Sequence, residues 1–220
     1  MTAGVVSFDD LELRLDGTTL WFTHDGSRRA ASLATVGEVA AMSALDGIRS
    51  AVGNGASIED AVAAAEAATP VRHHMEVTST PRGATILNDA HGSDKDDMAA
   101  ALRSLVQVTP PGSRSIAVLG QFDCEPADFV EQHDAIGRLV VRLNVSQLVA
   151  VGHGARHLQS AAGLEGSWDG ESLIVATPEE AYDLLRDEIR ENDVVLVKGA
   201  TTTGLAALGD RLTEAGGARW

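Results

Sequence analysis

The chain holds 220 residues, with 32 acidic against 17 basic side chains and a formal charge of −15. That balance opposes nonspecific nucleic-acid binding, which depends on neutralising phosphates with Lys and Arg. Hydrophobic residues make up 44%, enough for a buried core and too many for a wholly disordered chain, yet no apolar stretch approaches the roughly 20 residues of a membrane helix.

The length fits one large or two small domains. Residues 1–10 lack the basic-then-apolar order of a secretory signal. A single cysteine, Cys124, forms no internal disulfide. Both features fit a cytoplasmic protein with no membrane partner.

Taken in chain order, residues 11–15 and 19–23 alternate in polarity around Asp16-Gly17. Asp-Gly between alternating runs is a hairpin signal. Two alanine-rich helices follow, over about 36–52 and 57–68. Gly53-Asn54-Gly55 stops the first, Ser57 caps the second and Pro70 ends it.

From residue 73 the pattern changes. Residues 75–80 and 84–88 form strands around Pro81-Arg82-Gly83. Short apolar strands are then expected at 115–119, 147–151, 173–175 and 194–197. Amphipathic helices fall between and after them, at 126–143, 155–162, 178–189 and 205–215, with another ending near Val106. Thr177-Pro178-Glu179-Glu180 is a capping box with proline at the first helical position. Short apolar strands separated by helices mean an α/β fold with a largely parallel sheet. Ligands of such sheets lie beyond the carboxyl ends of the strands. That rule selects the loops 88–97, 120–125 and 198–203, with 152–154 as a fourth.

No Gly-x-x-x-x-Gly-Lys-Ser/Thr pattern is present. Gly152-His153-Gly154 lacks the third glycine of a dinucleotide fingerprint and fits a tight turn. His153 and His157 share a helical spacing, but no third metal ligand is fixed beside them. Cys124 stands between Asp123 and Glu125, which disfavour a thiolate. The 88–97 loop carries Asp89, Asp94, Asp96 and Asp97 with His91 and Lys95. It suits a sugar, phosphate or magnesium ligand, and equally a solvated loop whose aspartates cap the next helix. Lys198 ends an apolar strand, where a cation either faces a ligand or snorkels to solvent.

The runs Pro70-Val71-Arg72-His73-His74-Met75-Glu76-Val77 and Asn88-Asp89-Ala90-His91, with Met98, resemble the start of the C-terminal domain of Mur ligases, the MurF type above all. The resemblance continues through Ile116-Ala117-Val118-Leu119-Gly120, His133-Asp134-Ala135-Ile136-Gly137-Arg138 and Leu148-Val149-Ala150-Val151-Gly152. It ends with Asp193-Val194-Val195-Leu196-Val197-Lys198-Gly199 and Gly204-Leu205. It implies a Rossmann-like domain over residues 73–220. Residues 1–72 then correspond to the last part of the family's central domain, a hairpin plus two helices.

MurF-type ligases join D-alanyl-D-alanine to a UDP-muramoyl-tripeptide with ATP and magnesium. Their first domain and P-loop have no counterpart here, which implies a truncated homologue. Four nucleotide-facing positions also differ from the family pattern. Gly37-Glu38-Val39 and Ser43-Ala44 replace a helix carrying an adenine-contacting asparagine. His74 replaces a ribose-contacting arginine. His91-Gly92-Ser93-Asp94-Lys95 replaces Tyr-Asn-x-Asn-Pro, and Ala200-Thr201 replaces Ser-Arg. Asp89, Lys198 and Gly199 are retained.

ATP carries about four negative charges that need amides, a lysine and a metal to offset them. This acidic chain opposes its approach. The expectation is a MurF-like protein with no cofactor, no ligase activity alone and a binding or regulatory role linked to the cell wall. The competing reading is an enzyme: the C-terminal half of a split amide ligase, or a scaffold reused for other chemistry. Any retained ligand site is expected at Asp89, His91, Lys198 and Thr201, with His74 at its rim. The apolar faces of the 36–52 and 58–68 helices are expected to need a second surface, from a homodimer or a biosynthetic partner.

Overall fold

The computed structural model describes residues 5–92, 94–165, 168 and 170–214. The chain divides into two compact units, Met1–Val71 and Arg72–Trp220.

The first unit opens with β1 (Val6–Arg14), β2 (Gly17–His24) and β3 (Ser27–Leu33), an antiparallel sheet in chain order. The first turn falls at Asp16-Gly17, with Arg14 paired to Gly17. A third strand extends the expected hairpin. Its turn is a second Asp-Gly pair, Asp25 at φ 49° and Gly26 at φ 74°, the positive values a tight two-residue hairpin turn requires.

Two helices follow, α1 (Glu38–Gly53) and α2 (Ile58–Glu66). Ser57 caps α2 by accepting the Asp60 N–H at 3.1 Å. Ala41, Leu45, Ile48 and Ile58 close on Leu20, Phe22, Ala31 and Leu33 in one buried cluster. The expectation that these helical faces need another molecule therefore loses its basis, because the three-stranded sheet covers them. Of the apolar residues that raised it, Val39 alone is exposed. The outer edges of β1 and β3 pair with no strand among the described residues.

The second unit is an α/β layer structure. Its elements are β4 (Glu76–Ser79), β5 (Thr85–Asn88), α3 (Lys95–Val108), β6 (Ser115–Leu119), α4 (Phe129–Arg142) and β7 (Gln147–Val151). Then come α5 (Arg156–Gly163), β8 (Glu171–Val175), α6 (Pro178–Glu188), β9 (Val194–Lys198) and α7 (Leu205–Thr213). The last helix ends at Thr213, with Glu214 already extended, shorter than the expected 205–215, of which Ala215 lies outside the described residues. The sheet order is β4-β5-β9-β6-β7-β8. Only β4 is antiparallel to its neighbour.

This order fixes the layers. Steps from β5 to β6, β7 and β8 move one way across the sheet, and the step back to β9 moves the other. Right-handed crossovers then put α3, α4 and α5 on one face and α6 with α7 on the other. The cores agree: Ile86, Ile116, Val118, Val149 and Val195 pack with Tyr182, Leu185, Leu205 and Leu208. Every residue of β6, β7 and β9 is buried, as strands covered on both faces should be. The return of β9 between β5 and β6 sets the loops 88–97, 198–203 and 120–125 side by side at the carboxyl ends of adjacent strands.

Candidate functional site

Asp89 follows β5, and its N–H donates to Val197 O at 2.9 Å. The backbone thus continues the sheet for one more step and aims the carboxylate at the end of β9. There the Lys198 Nζ donates to Asp89 Oδ2 at 2.6 Å. Asp89 Oδ1 accepts the Met75 N–H at 2.9 Å. The Lys198 side chain is only 4% exposed and that of Asp89 17%. Lys198 is therefore neither a solvent-seeking strand end nor a free cation facing the loops. Its charge is held inside the protein by Asp89.

The other expected residues gather around this pair. The His74 and His91 rings lie 4.4 Å apart, tilted by 42°, and both residues are exposed. Thr201 opens a short 3-10 turn, Thr201–Thr203. A Cβ placed on Gly92 would stand 3.8 Å from its Oγ1. The loops after β6 and β9 interlock through a second contact: the Ala200 N–H donates to Gln121 O at 2.8 Å. Gly199 and Gly120 make this approach possible, since a Cβ on Gly199 would meet Gly120 Cα at 3.1 Å. Thus Asp89, His91, Lys198, Thr201 and His74 share one neighbourhood, with Lys198 beneath and the two histidines outermost.

The remaining aspartates of the 88–97 loop serve α3. Asp94 Oδ1 accepts the N–H groups of Asp96 and Asp97, each at 2.9 Å. This is an N-cap, and Asp96 and Asp97 oppose the positive end of the helix. Ser93 lies outside the described residues.

A polar group that sequence inspection overlooked sits beside the site. Asp210 of α7 accepts from Arg72 at 2.7 Å and lies 3.0 Å from His73 Nε2. Asn88 Nδ2 reaches the same carboxylate at 3.2 Å. No sequence signal marks it, because Asp210 lies two helical positions from the buried Leu208 and Leu212 and so on a different face of α7.

His153 and His157 do not form a metal site with a third ligand among the described residues. His157 instead faces Asp134 at 3.8 Å. His133 is fully buried between the rings of Phe122 and Phe129, at 3.9 and 4.0 Å. The Phe122 N–H donates to its Nε2 at 3.3 Å, so its Nδ1–H donates to Phe129 O at 2.8 Å. Burial pushes its pKa down. Burial also raises the Cys124 thiol, with Asp128, Asp123 and Glu125 adding to it, so the thiolate is disfavoured.

A family model described as Mur ligase, glutamate ligase domain, matches residues 73–201. The chain belongs to the Mur ligase family. The UDP-N-acetylmuramoyl-tripeptide–D-alanyl-D-alanine ligase of Mycobacterium leprae is 42% identical over 179 residues, covering 75% of this chain and 35% of that protein. The ligase of the same name from Mycobacterium tuberculosis is 39% identical over 227 residues, 96% of this chain and 44% of that one. A crystal structure of MurF from Acinetobacter baumannii superimposes with a TM-score of 0.80 at 20% identity, covering 96% of this chain and 45% of its own. That likeness establishes the fold. The chain spans less than half the length of these Mur ligase relatives.

Proposed function

We propose that this Mur ligase chain is a MurF-like binding or regulatory protein of cell-wall precursor metabolism, with no ATP turnover of its own. The observation that carries the reading is the closed Asp89–Lys198 pair at 2.6 Å. It consumes one of the chain's two lysines, and the other, Lys95, stands among Asp94, Asp96 and Asp97. The loops thus offer a triphosphate little uncompensated positive charge. Ser43, His74, Asp94 and Thr201 occupy positions where the family pattern places nucleotide contacts, which supports the same reading.

The retained site suits a neutral or polar ligand. His74 and His91 supply ring faces and hydrogen bonds, and Thr201 a hydroxyl. A partner, either a second copy or a cell-wall protein, would dock on the open edges of β1 or β3 by strand addition.

Calorimetry with ATP and magnesium tests the proposal. The expected result is no binding tighter than about 100 µM. Tighter binding overturns it and favours the second reading, a ligase portion completed by an ATP-binding half. The 42% and 39% identity of this portion to D-alanyl-D-alanine-adding ligases favours that alternative. Amide-bond formation on adding a P-loop-bearing Mur ligase portion would establish it.

A further inference from the structure

The turn from Arg72 to Glu76 and the helix α7 bring together a set of metal-ligating groups that the site above does not use. His73 Nε2 lies 3.0 and 3.1 Å from the two oxygens of Asp210. Glu76 accepts the His73 N–H through Oε2 at 3.0 Å. One ligand atom each from His73, Glu76 and Asp210 lies within 4.8 Å of the others. Two ligands held about 2.0–2.1 Å from a tetrahedral zinc ion stand roughly 3.3 Å apart. His73 and Asp210 already have nearly that spacing.

Asn88 provides an independent observation. It is 2% exposed and lies opposite Glu76 in the β4–β5 pairing. Its Nδ2 donates to Asp210 Oδ1 at 3.2 Å and to Ala206 O at 2.9 Å. Its Oδ1 is buried with no hydrogen-bond partner. A buried acceptor left unpaired is costly and calls for a donor or a cation.

The charges point the same way. Glu76 and Asp210 bring two carboxylates, while the balancing Arg72 has a side chain 70% exposed, so solvent weakens its hold. Arg72 takes Asp210 Oδ2 at 2.7 Å and Asn88 Nδ2 reaches Oδ1 at 3.2 Å, so a cation would take the place of the His73 proton between Nε2 and Oδ1. An imidazole in the ligand set selects zinc-like ions over magnesium or calcium.

We propose that His73, Glu76 and Asp210, completed by Asn88 Oδ1 or a water, bind one divalent cation of the zinc class. The cation ties the 72–76 turn to α7. Met75 of that turn donates to Asp89, so the ion steadies the wall that carries His74. This inference does not depend on the proposed function.

Zinc titration of the metal-stripped full chain against a chromophoric chelator tests it, with magnesium as the control. One equivalent of zinc should bind with a dissociation constant below about 10 µM. Glu76→Gln should weaken binding about tenfold or more. Side-chain nitrogen NMR of the wild type should show the His73 Nε2 signal moving with zinc while those of His153 and His157 stay. Absence of binding at about 100 µM zinc overturns the proposal. So does an unmoved His73 signal, or unchanged affinity in a folded Glu76→Gln chain. If that variant fails to fold, the wild-type NMR decides alone.

Discussion

Lys198→Met removes the ammonium from the Asp89 pair and keeps a stem of similar length. The Nζ–Oδ2 distance is 2.6 Å, with side-chain exposures of 4% and 17%. Breaking a buried pair by deleting one partner costs about 3–5 kcal/mol, because the other charge stays buried and unpaired. Asp89 keeps the Met75 N–H and some contact with water, so the expected loss is near the lower end, about 3 kcal/mol. Adding Asp89→Asn removes the stranded charge. The double variant should then recover at least about 1 kcal/mol relative to Lys198→Met alone, a coupling within the range for touching residues. Denaturant-dependent hydrogen exchange at the β6 and β9 amides reads the second unit separately. A loss below about 1 kcal/mol, the scale of a surface pair, would refute the reasoning. So would a double variant no more stable than the single one.

Two glycines in helices should respond oppositely to alanine. A Cβ on Gly137 of α4 would stand 2.3 Å from the backbone oxygen of Leu158, so Gly137→Ala should destabilise by about 2–3 kcal/mol. Gly47 of α1 has open space around that position, so Gly47→Ala should stabilise by about 0.5–1 kcal/mol; thermal melting checks both signs. The third prediction concerns His133, whose pKa burial lowers from the ordinary 6.5. The folded chain binds this proton more weakly than the unfolded one, so the stabilisation is present above 6.5 and is lost as pH falls toward the folded value. His133→Gln should therefore destabilise more at about pH 7.5 than at about pH 5. Equal penalties in urea unfolding at the two pH values would show that the buried ring is not neutral.

The strands at 115–119 and 147–151 were legible in the sequence because each carries four consecutive apolar residues after one polar residue, the run expected of a strand buried on both faces. The caps at Ser57 and Thr177 were legible because a cap needs only residues within one turn. The strand β3 was not, since Ser27–Leu33 contains no β-branched or aromatic residue and becomes a strand by pairing with β2. Its packing against α2 was hidden for the same reason. The strand-end rule pointed to the loops that follow β5, β6 and β9, and the sheet order brings those three strand ends side by side. What Lys198 does there was decided by the sheet order. The insertion of β9 between β5 and β6 places it beside a carboxylate 109 residues earlier in the chain. The Asp210 group depends likewise on α7 crossing the sheet at β5. Local structure follows from neighbours along the chain. The state of a charge follows from which distant charge the topology sets against it.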